Sequence, residues 1–185
     1  MRALFAIALA LYTQFAAANE ALWQRLRDEP NLVVLMRHTQ PARGSPLIWD
    51  QSGKCEGESM LTAEGIVHAR RIGEEFRKHG ITPTVIISSP MCRCRDTARL
   101  AFEQDPTTGA ALREIASADA ERTTAFEQKA LSLIATNRGP SPVVFVSHQP
   151  NIDLIALELI DLGDLLVALS SERGELTVLG KFHVK

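Results

Sequence analysis

The chain is poor in the features that binding surfaces for nucleic acids and membranes require. Aromatic residues make up 5% of its 185 residues, too few for a platform on which bases could stack. Its 20 lysines and arginines face 22 aspartates and glutamates, so no broad basic surface is expected. No apolar run reaches the roughly 18 residues of a membrane span. We therefore expect no nucleic acid partner and no stable membrane insertion. A hydrophobic share of 45% is instead typical of a globular domain.

The composition of residues 1–18 differs from that of the rest of the chain. A positive start at Arg2 is followed by the apolar run Ala3 to Tyr12, and Ala16 to Ala18 fit an A-x-A cleavage site. This pattern predicts a secretory signal peptide that precedes a single domain over residues 19–185. The alternative, an amphipathic helix packed on the core, fits less well because the segment is apolar on all faces. We expect an exported protein, periplasmic if the source is a Gram-negative bacterium.

The three cysteines are interpreted in the light of this predicted export, because disulfides persist in oxidising compartments. Cys55 lies in the long polar loop from Pro41 to Met60, whereas Cys92 and Cys94 flank Arg93. Two cysteines one residue apart are poorly placed to pair with each other. A disulfide would therefore join Cys55 to Cys92 or to Cys94, and it would leave one thiol over. The absence of a C-x-x-C pair or a nearby Cys/His set argues against a metal site.

Short apolar runs alternate with segments of helical period. The runs 32–36, 84–87 and 143–146 are too short for helices and predict buried strands. The clearest helix extends from Thr62 to His79, and further helices are predicted over residues 21–28, 92–104, 122–136 and 152–160. This alternation predicts an α/β fold, a three-layer αβα sandwich with a mostly parallel central sheet in a single domain. Residues 175–184 predict a closing hairpin or an edge strand.

Polar clusters follow the three predicted strands. They are Arg37-His38-Thr39-Gln40, Ser88-Ser89-Pro90 leading to Arg93, and Ser147-His148-Gln149-Pro150-Asn151. Because ligands in open α/β sheets bind beyond the carboxyl ends of the strands, we expect these clusters to form one pocket. Two histidines and two arginines would meet there, and a phosphoryl group is their natural complement. One histidine could attack phosphorus as a neutral imidazole while the other donates to the phosphoryl oxygens.

Four ordered motifs resemble those of the histidine phosphatase (phosphoglycerate-mutase-like) superfamily. They are Leu35-Met36-Arg37-His38, Leu61-Thr62-x-x-Gly65, Ser89-Pro90-x-x-Arg93-x-x-x-Thr97 and Val146-Ser147-His148. By this resemblance His38 is the phosphorylated nucleophile and His148 the second histidine of the pocket. Arg37 and Arg93 clamp the phosphate, and the motif register selects Arg93 over Arg95. The chain is most similar to small exported members, some of which look like lipopolysaccharide core heptose phosphate phosphatases.

The resemblance also indicates a proton donor and further substrate contacts. The donor is a carboxylate after the helix that follows Arg93, and Glu114 fits the usual Leu-x-Glu form, with Asp119 as the alternative. Thr39 replaces the usual glycine, which narrows the site or adds a hydroxyl near the phosphate. Thr39, Gln40 and Gln149 are the further predicted contacts to phosphate or substrate. The three remaining histidines are interpreted as structural residues: His68, His79 and His183.

The resemblance implies a phosphomonoesterase of acid type that needs neither a metal nor another cofactor and acts on a small phosphorylated substrate. An envelope phosphosugar is the substrate that the similar exported members suggest. One alternative is a phosphatase of phosphohistidine in proteins, against which the signal peptide argues. The other is a catalytically silent phosphate-binding protein, which Thr39 and the open choice of acid leave possible. A mutase is disfavoured because export would separate it from glycolytic bisphosphates.

Overall fold

The structure is a computed structural model. It describes residues 19–44 and 47–184, so the predicted signal peptide lies outside the described residues. In this described part of the chain, no helix combines the length and the apolar character needed to cross a membrane.

Helices and strands alternate along most of the chain, as the sequence predicts. The helices are α1 (residues 19–28), α2 (Ala63–Lys78), α3 (Cys92–Phe102), α4 (Ala120–Thr136) and α5 (Gln149–Ala156), with a short 3-10 helix at Ala110–Leu112. The strands are β1 (Leu32–Arg37), β2 (Val85–Ser88), β3 (Val143–Ser147), β4 (Asp164–Ser170) and β5 (Leu176–His183).

The five strands form one open sheet in the order β2-β3-β1-β4-β5. The neighbours β2, β3 and β1 are parallel, whereas β4 pairs antiparallel with both β1 and β5. Only β4 therefore runs against the other described strands, which confirms a mostly parallel sheet. The register places Arg37 opposite Ser147, so the residues that follow β1 and β3 emerge side by side.

The two faces of the sheet are covered by different helices. Along β1, Val34 and Met36 pack against α1, α2 and α3, whereas Val33 and Leu35 pack against α4 and α5. This period of two is the direct result of strand geometry, because successive side chains point to opposite faces. All four side chains are buried, so the run is apolar throughout. The single-domain, three-layer αβα sandwich is confirmed.

Two elements differ from the sequence-based expectation. The strand β4 was not predicted, and the helix expected to reach residue 160 ends at Ala156, where Leu157 turns into the left-handed region with φ 56°. This turn is what allows the chain to return to the sheet as β4. At the C-terminus, β5 pairs antiparallel with β4, so the edge-strand interpretation of the tail is correct.

The helices α2 and α3 approach each other so closely that a glycine is required between them. A β-carbon at Gly73 would overlap the backbone carbonyl of Ala101, and both residues belong to the buried contact between the two helices. Backbone cannot move aside as a flexible side chain does, so any substituent must push the helices apart.

We expect Gly73→Ala to lower the free energy of unfolding by about 3 kcal/mol because of this overlap. The measurement is urea denaturation of the purified domain. Gly139→Ala is the matched control, because no atom outside the neighbouring residues lies within 4 Å of a β-carbon at that position. Equal stability of the two variants would show that α2 and α3 are not packed as described.

Candidate active site

The ends of β1 and β3 place two histidines against each other. The backbone N–H of His38 donates to the carbonyl of Ser147 at 3.0 Å, which continues the pairing of β1 with β3 by one residue. The rings of His38 and His148 consequently lie with centroids 5.3 Å apart. Both side chains are buried at the carboxyl edge of the sheet, where ligands of open α/β folds bind.

The hydrogen bonds of His38 define which ring nitrogen carries the lone pair. Nδ1 lies 2.8 Å from the carbonyl of Thr39, which can only accept, so Nδ1 carries the proton and Nε2 the lone pair. Nε of Arg93 donates to that lone pair at 3.3 Å. Burial, and then the charges of Arg93 and Arg37, lower the pKa of His38 to about 3. The imidazole is therefore neutral across the physiological pH range.

Arg93 is the buried cation at the centre of the site. It is 1% exposed, and it lies in the first turn of α3. Its Nη2 contacts the Glu114 carboxylate and lies 3.2 Å from Nδ1 of His148. Because a guanidinium only donates, it fixes the acceptor atoms of the residues around it. The site thus holds a planar donor fork of the type that binds phosphoryl oxygens.

His148 has the opposite tautomer from that of His38. Its Nδ1 accepts from Arg93, so its proton is on Nε2, which donates to Oγ of Ser89 at 2.8 Å. The Sγ atom of Cys94 lies 3.5 Å from the same nitrogen. Burial, together with the nearby cationic groups, holds the pKa of His148 well below its usual range.

The carboxylate of Glu114 joins this cluster, and that of Asp119 does not. Besides contacting Arg93, Oε2 of Glu114 lies 3.5 Å from Nδ1 of His148. Burial raises the pKa of Glu114, although the charges of Arg93 and Arg37 oppose the shift. Asp119 instead caps α4, where its side chain accepts from the N–H of Arg122 at 2.8 Å. Of the two carboxylates that the sequence indicates, Glu114 is thus the one that lies beside the histidines.

Asn151 holds the backbone around Glu114, a role that the sequence did not reveal. From the first turn of α5, its Oδ1 accepts from the N–H of Ile115 at 3.0 Å, and its Nδ2 donates to the carbonyl of Arg113 at 3.1 Å. Arg122 adds a bond from Nη2 to the carbonyl of Glu114 at 2.6 Å. Asn151 is fully buried, and a polar residue just after the His148 motif is the signal that could have indicated it.

The other residues predicted to contact phosphate or substrate differ in their exposure and in their hydrogen-bond partners. Arg37 is half-buried and donates from Nη1 to the carbonyl of Ile160 at 3.0 Å, while its Nε has no hydrogen-bond partner among the described residues. Gln149 begins α5 and is partly exposed, so its substrate contact stays a prediction. The exposed side chain of Gln40 contacts the Pro41 carbonyl instead of the histidines.

Thr39 lies behind the pocket. Its hydroxyl donates to the carbonyl of Gly65 at 2.9 Å, and its backbone N–H donates to Oγ1 of Thr97 at 3.2 Å. The latter hydroxyl also donates to the Arg93 carbonyl at 2.7 Å. In this arrangement the threonine in place of the usual glycine connects the end of β1 to α2 and α3.

The long loop is tied to the first turn of α3 by a disulfide and a carboxylate. Cys55 pairs with Cys92, with Cα atoms 5.9 Å apart, and Cys94 remains as the buried free thiol. The Glu58 carboxylate accepts from the N–H of Cys92 at 2.7 Å and from that of Asp50 at 2.8 Å. A carboxylate at a helix N-terminus satisfies a free N–H and complements the helix dipole.

The fold and the site together define a protein whose pocket is suited to histidine-based phosphate chemistry. The family model described as "Histidine phosphatase superfamily (branch 1)" matches residues 33–138, and the chain belongs to this superfamily, whose members are phosphatases and mutases. That segment contains His38, Arg93 and Glu114, whereas His148 follows it in sequence. No curated protein sequence matches the chain.

Solved structures share the fold at low sequence identity. The protein histidine phosphatase SixA, solved with tungstate, is similar with a TM-score of 0.58 and 16% identity over 82% of this chain and 96% of that one. A mycobacterial glucosyl-3-phosphoglycerate phosphatase is similar with a TM-score of 0.57 and 17% identity, over 82% of this chain and 98% of that one. A phosphoserine phosphatase from Entamoeba histolytica, solved with 3-phosphoglyceric acid, is similar with a TM-score of 0.55 and 14% identity, over 81% of this chain and 95% of that one.

We expect Arg93→Lys to lower kcat/KM for p-nitrophenyl phosphate about 10²-fold or more. Lysine keeps the charge but loses the planar fork, and a charge-assisted contact at the transition state is worth about 3 kcal/mol. Steady-state kinetics measure the effect. Arg70→Lys, at an exposed position on α2, serves as the control and should change little. Similar kinetics for Arg93→Lys and wild type would remove Arg93 from the phosphate clamp.

Proposed function

We propose that the protein is a metal-independent phosphomonoesterase that works through a phosphohistidine at His38. The observation that carries this proposal is the position of Nε2 of His38. This atom bears the lone pair of a neutral imidazole and lies beside the Arg93 guanidinium, which in turn contacts Glu114. Nucleophile, cationic clamp and acid are therefore contiguous, as phosphoryl transfer requires.

In the first step, Nε2 of His38 attacks phosphorus and the bond from phosphorus to the ester oxygen breaks. Arg37 and Arg93 hold the phosphoryl oxygens. His148, whose Nε2–H donates to Ser89, lies beside the nucleophile. Glu114 gives its proton to the departing alkoxide. The Thr39 carbonyl accepts from Nδ1–H and so stabilises the positive charge of the phosphorylated ring.

In the second step, a water molecule replaces the released alcohol. The Glu114 carboxylate now takes a proton from this water as the oxygen attacks phosphorus. The bond between phosphorus and Nε2 breaks, inorganic phosphate forms, and His38 returns to its neutral state. The raised pKa of Glu114 suits this double role, because the carboxyl group must exchange its proton within one catalytic cycle.

We also propose that the protein is exported and that an envelope phosphosugar is its substrate. Residues 1–18 have the composition of a signal peptide, and the Cys55–Cys92 disulfide is of the kind that persists in oxidising compartments. The motifs resemble those of small exported phosphatases of lipopolysaccharide core heptose phosphates. Phosphohistidine in a protein is the second candidate substrate, which the shared fold with SixA supports.

Rapid quench with a labelled phosphate ester should trap phosphate on His38. The N-phosphoryl bond is stable in base and labile in acid, which distinguishes it from a phosphoserine. His38→Ala should abolish both the label and turnover, whereas EDTA should leave turnover unchanged. Label on serine would contradict the mechanism. Activity lost in EDTA and restored by zinc or magnesium would favour metal-assisted hydrolysis instead.

Glu114→Gln should slow the hydrolysis of glucose 6-phosphate by roughly 10² to 10⁴, and that of p-nitrophenyl phosphate far less, because only the alkoxide needs a proton on departure. For the wild type, kcat on the sugar phosphate should fall as pH rises through the raised pKa of Glu114, since the acid must be protonated. The Glu114→Gln variant should no longer show this fall of kcat at high pH. Asp119→Asn is the control, and a leaving-group effect in that variant alone would move the acid to Asp119.

A further inference from the structure

A cavity lies next to the candidate active site, on the side of the long loop. It has a volume of about 550 Å³ and lies between the loop, α3 and residues 105–110. Two of its lining residues are linked to the catalytic cluster through a neighbouring residue. Pro90 follows Ser89, whose hydroxyl contacts His148, and Trp49 lies with its ring 5.2 Å from the guanidinium of Arg113, next to Glu114. A group joined to the reacting phosphate could therefore extend into this cavity.

The charged side chains that line the cavity differ in their partners. Arg99 donates to Asp105 at 2.9 Å and lies 3.5 Å from Asp96. The Asp50 carboxylate accepts from the N–H of Glu56 at 3.0 Å and from the N–H and hydroxyl of Ser52 at 2.8 Å, and these bonds lower its pKa to about 2. Arg95 makes no hydrogen bond or salt bridge with any part of the chain that the structure describes, and its charge acts on the neighbouring Asp96 carboxylate from a longer distance.

The guanidinium of Arg95 lies beside the tethered loop. A β-carbon at Gly53 would lie 3.7 Å from Nη1 of Arg95. Gly53 has φ +77°, a conformation that favours glycine, and it precedes the Cys55–Cys92 disulfide by two residues. Arg95 is half-buried, so its charge is screened by solvent less than that of an exposed arginine. A partly buried guanidinium that forms no salt bridge within the described chain and lies in a cavity wall is suited to an anionic ligand.

We propose that this cavity binds a second anionic group, a carboxylate or a phosphate, carried by the leaving group of the substrate, with Arg95 as its counter-charge. This inference rests on the proposed phosphatase function and narrows its substrate class to phosphate esters with two separated negative groups. Arg95 and Arg93 are two residues apart on α3, which places them on different sides of the helix. The same helix would thus hold the reacting phosphate and the distal anion at separate sites.

The test compares matched substrates that differ in the distal anion. Glucose 6-phosphate and 6-phosphogluconate both carry a phosphate on the primary oxygen of a six-carbon leaving group, but only 6-phosphogluconate has a carboxylate. Fructose 6-phosphate and fructose 1,6-bisphosphate make the same comparison for a second phosphate. We expect kcat/KM to be about 10-fold or more higher for the substrate with the additional anionic group in at least one pair, and that pair identifies the group. The preference should weaken with added salt.

Arg95→Gln should bring the ratio of kcat/KM between the two substrates of that pair close to one. Arg95→Lys should retain part of the preference, because lysine keeps the charge. Arg70→Gln, on exposed α2, should leave the ratio unchanged. Because each ratio is measured within one variant, a general loss of active protein cancels. The inference is overturned if the wild type shows no preference in either pair, or if the preference survives in Arg95→Gln.

Failure of the inference is distinguishable from failure of the proposed function. Hydrolysis of p-nitrophenyl phosphate that depends on His38, without any preference for a distal anion, would overturn the inference alone. If the wild type hydrolyses no ester, the phosphatase proposal fails, and titration calorimetry with the same four compounds decides about the cavity. Tighter binding of a compound with the additional anionic group, lost in Arg95→Gln, would support the anion site. Equal affinities would overturn it.

Discussion

The site depends on one buried guanidinium. Arg93 donates to Nε2 of His38 and to Nδ1 of His148, and it contacts the Glu114 carboxylate, so a single planar group fixes the acceptor atoms of three others. A buried cation of this kind is costly unless its donors are met, because it has lost its hydration. Its partners in this structure are the residues proposed to act on phosphate. The requirement to satisfy Arg93 thus assembles the pocket, and a phosphoryl group with several oxygens would meet the same requirement.

The rest of the molecule keeps Arg93 in place. Gly73 lets α2 approach α3, Thr97 bonds the Arg93 carbonyl, and Glu58 with the Cys55–Cys92 disulfide fixes the first turn of α3. On the other side of the cluster, Asn151 from α5 holds the backbone on both sides of Glu114. The loop with the disulfide, the helix α3 and the backbone around Glu114 therefore hold the Arg93 side chain from three sides. Such support is what holds catalytic side chains to a productive geometry.

The sequence predicted the parts of the fold that follow from local pattern. The runs at 32–36 and 143–146 are continuous and apolar because central parallel strands are buried on both faces. The strand β4 was missed because its leucines and alanine follow a leucine-rich segment and carry no alternation, which leaves strand and helix indistinguishable by period. The polar clusters predicted where the strands end, and the register of β1 with β3 is what brings His38 and His148 together.

Two features of the site could not be predicted because they depend on tertiary contacts. The choice between Glu114 and Asp119 as the group beside the histidines follows from Asn151 and the α4 cap. The choice between Cys92 and Cys94 depends on which side of α3 meets the loop, and residues two apart on a helix differ in direction. The motifs themselves indicated Arg37, His38, Arg93 and His148.

The burial of Cys94 has a consequence for how the protein matures. In an unfolded chain Cys55 can oxidise with either thiol of α3, because the two lie one residue apart. Only the packing of α3 on the sheet hides Cys94 beside His148 and raises the pKa of its thiol, which suppresses the reactive thiolate. Folding thereby acts as the selector of the bond. A chain that is oxidised before it folds can be trapped in the wrong pairing and then depends on disulfide exchange to reach its native state.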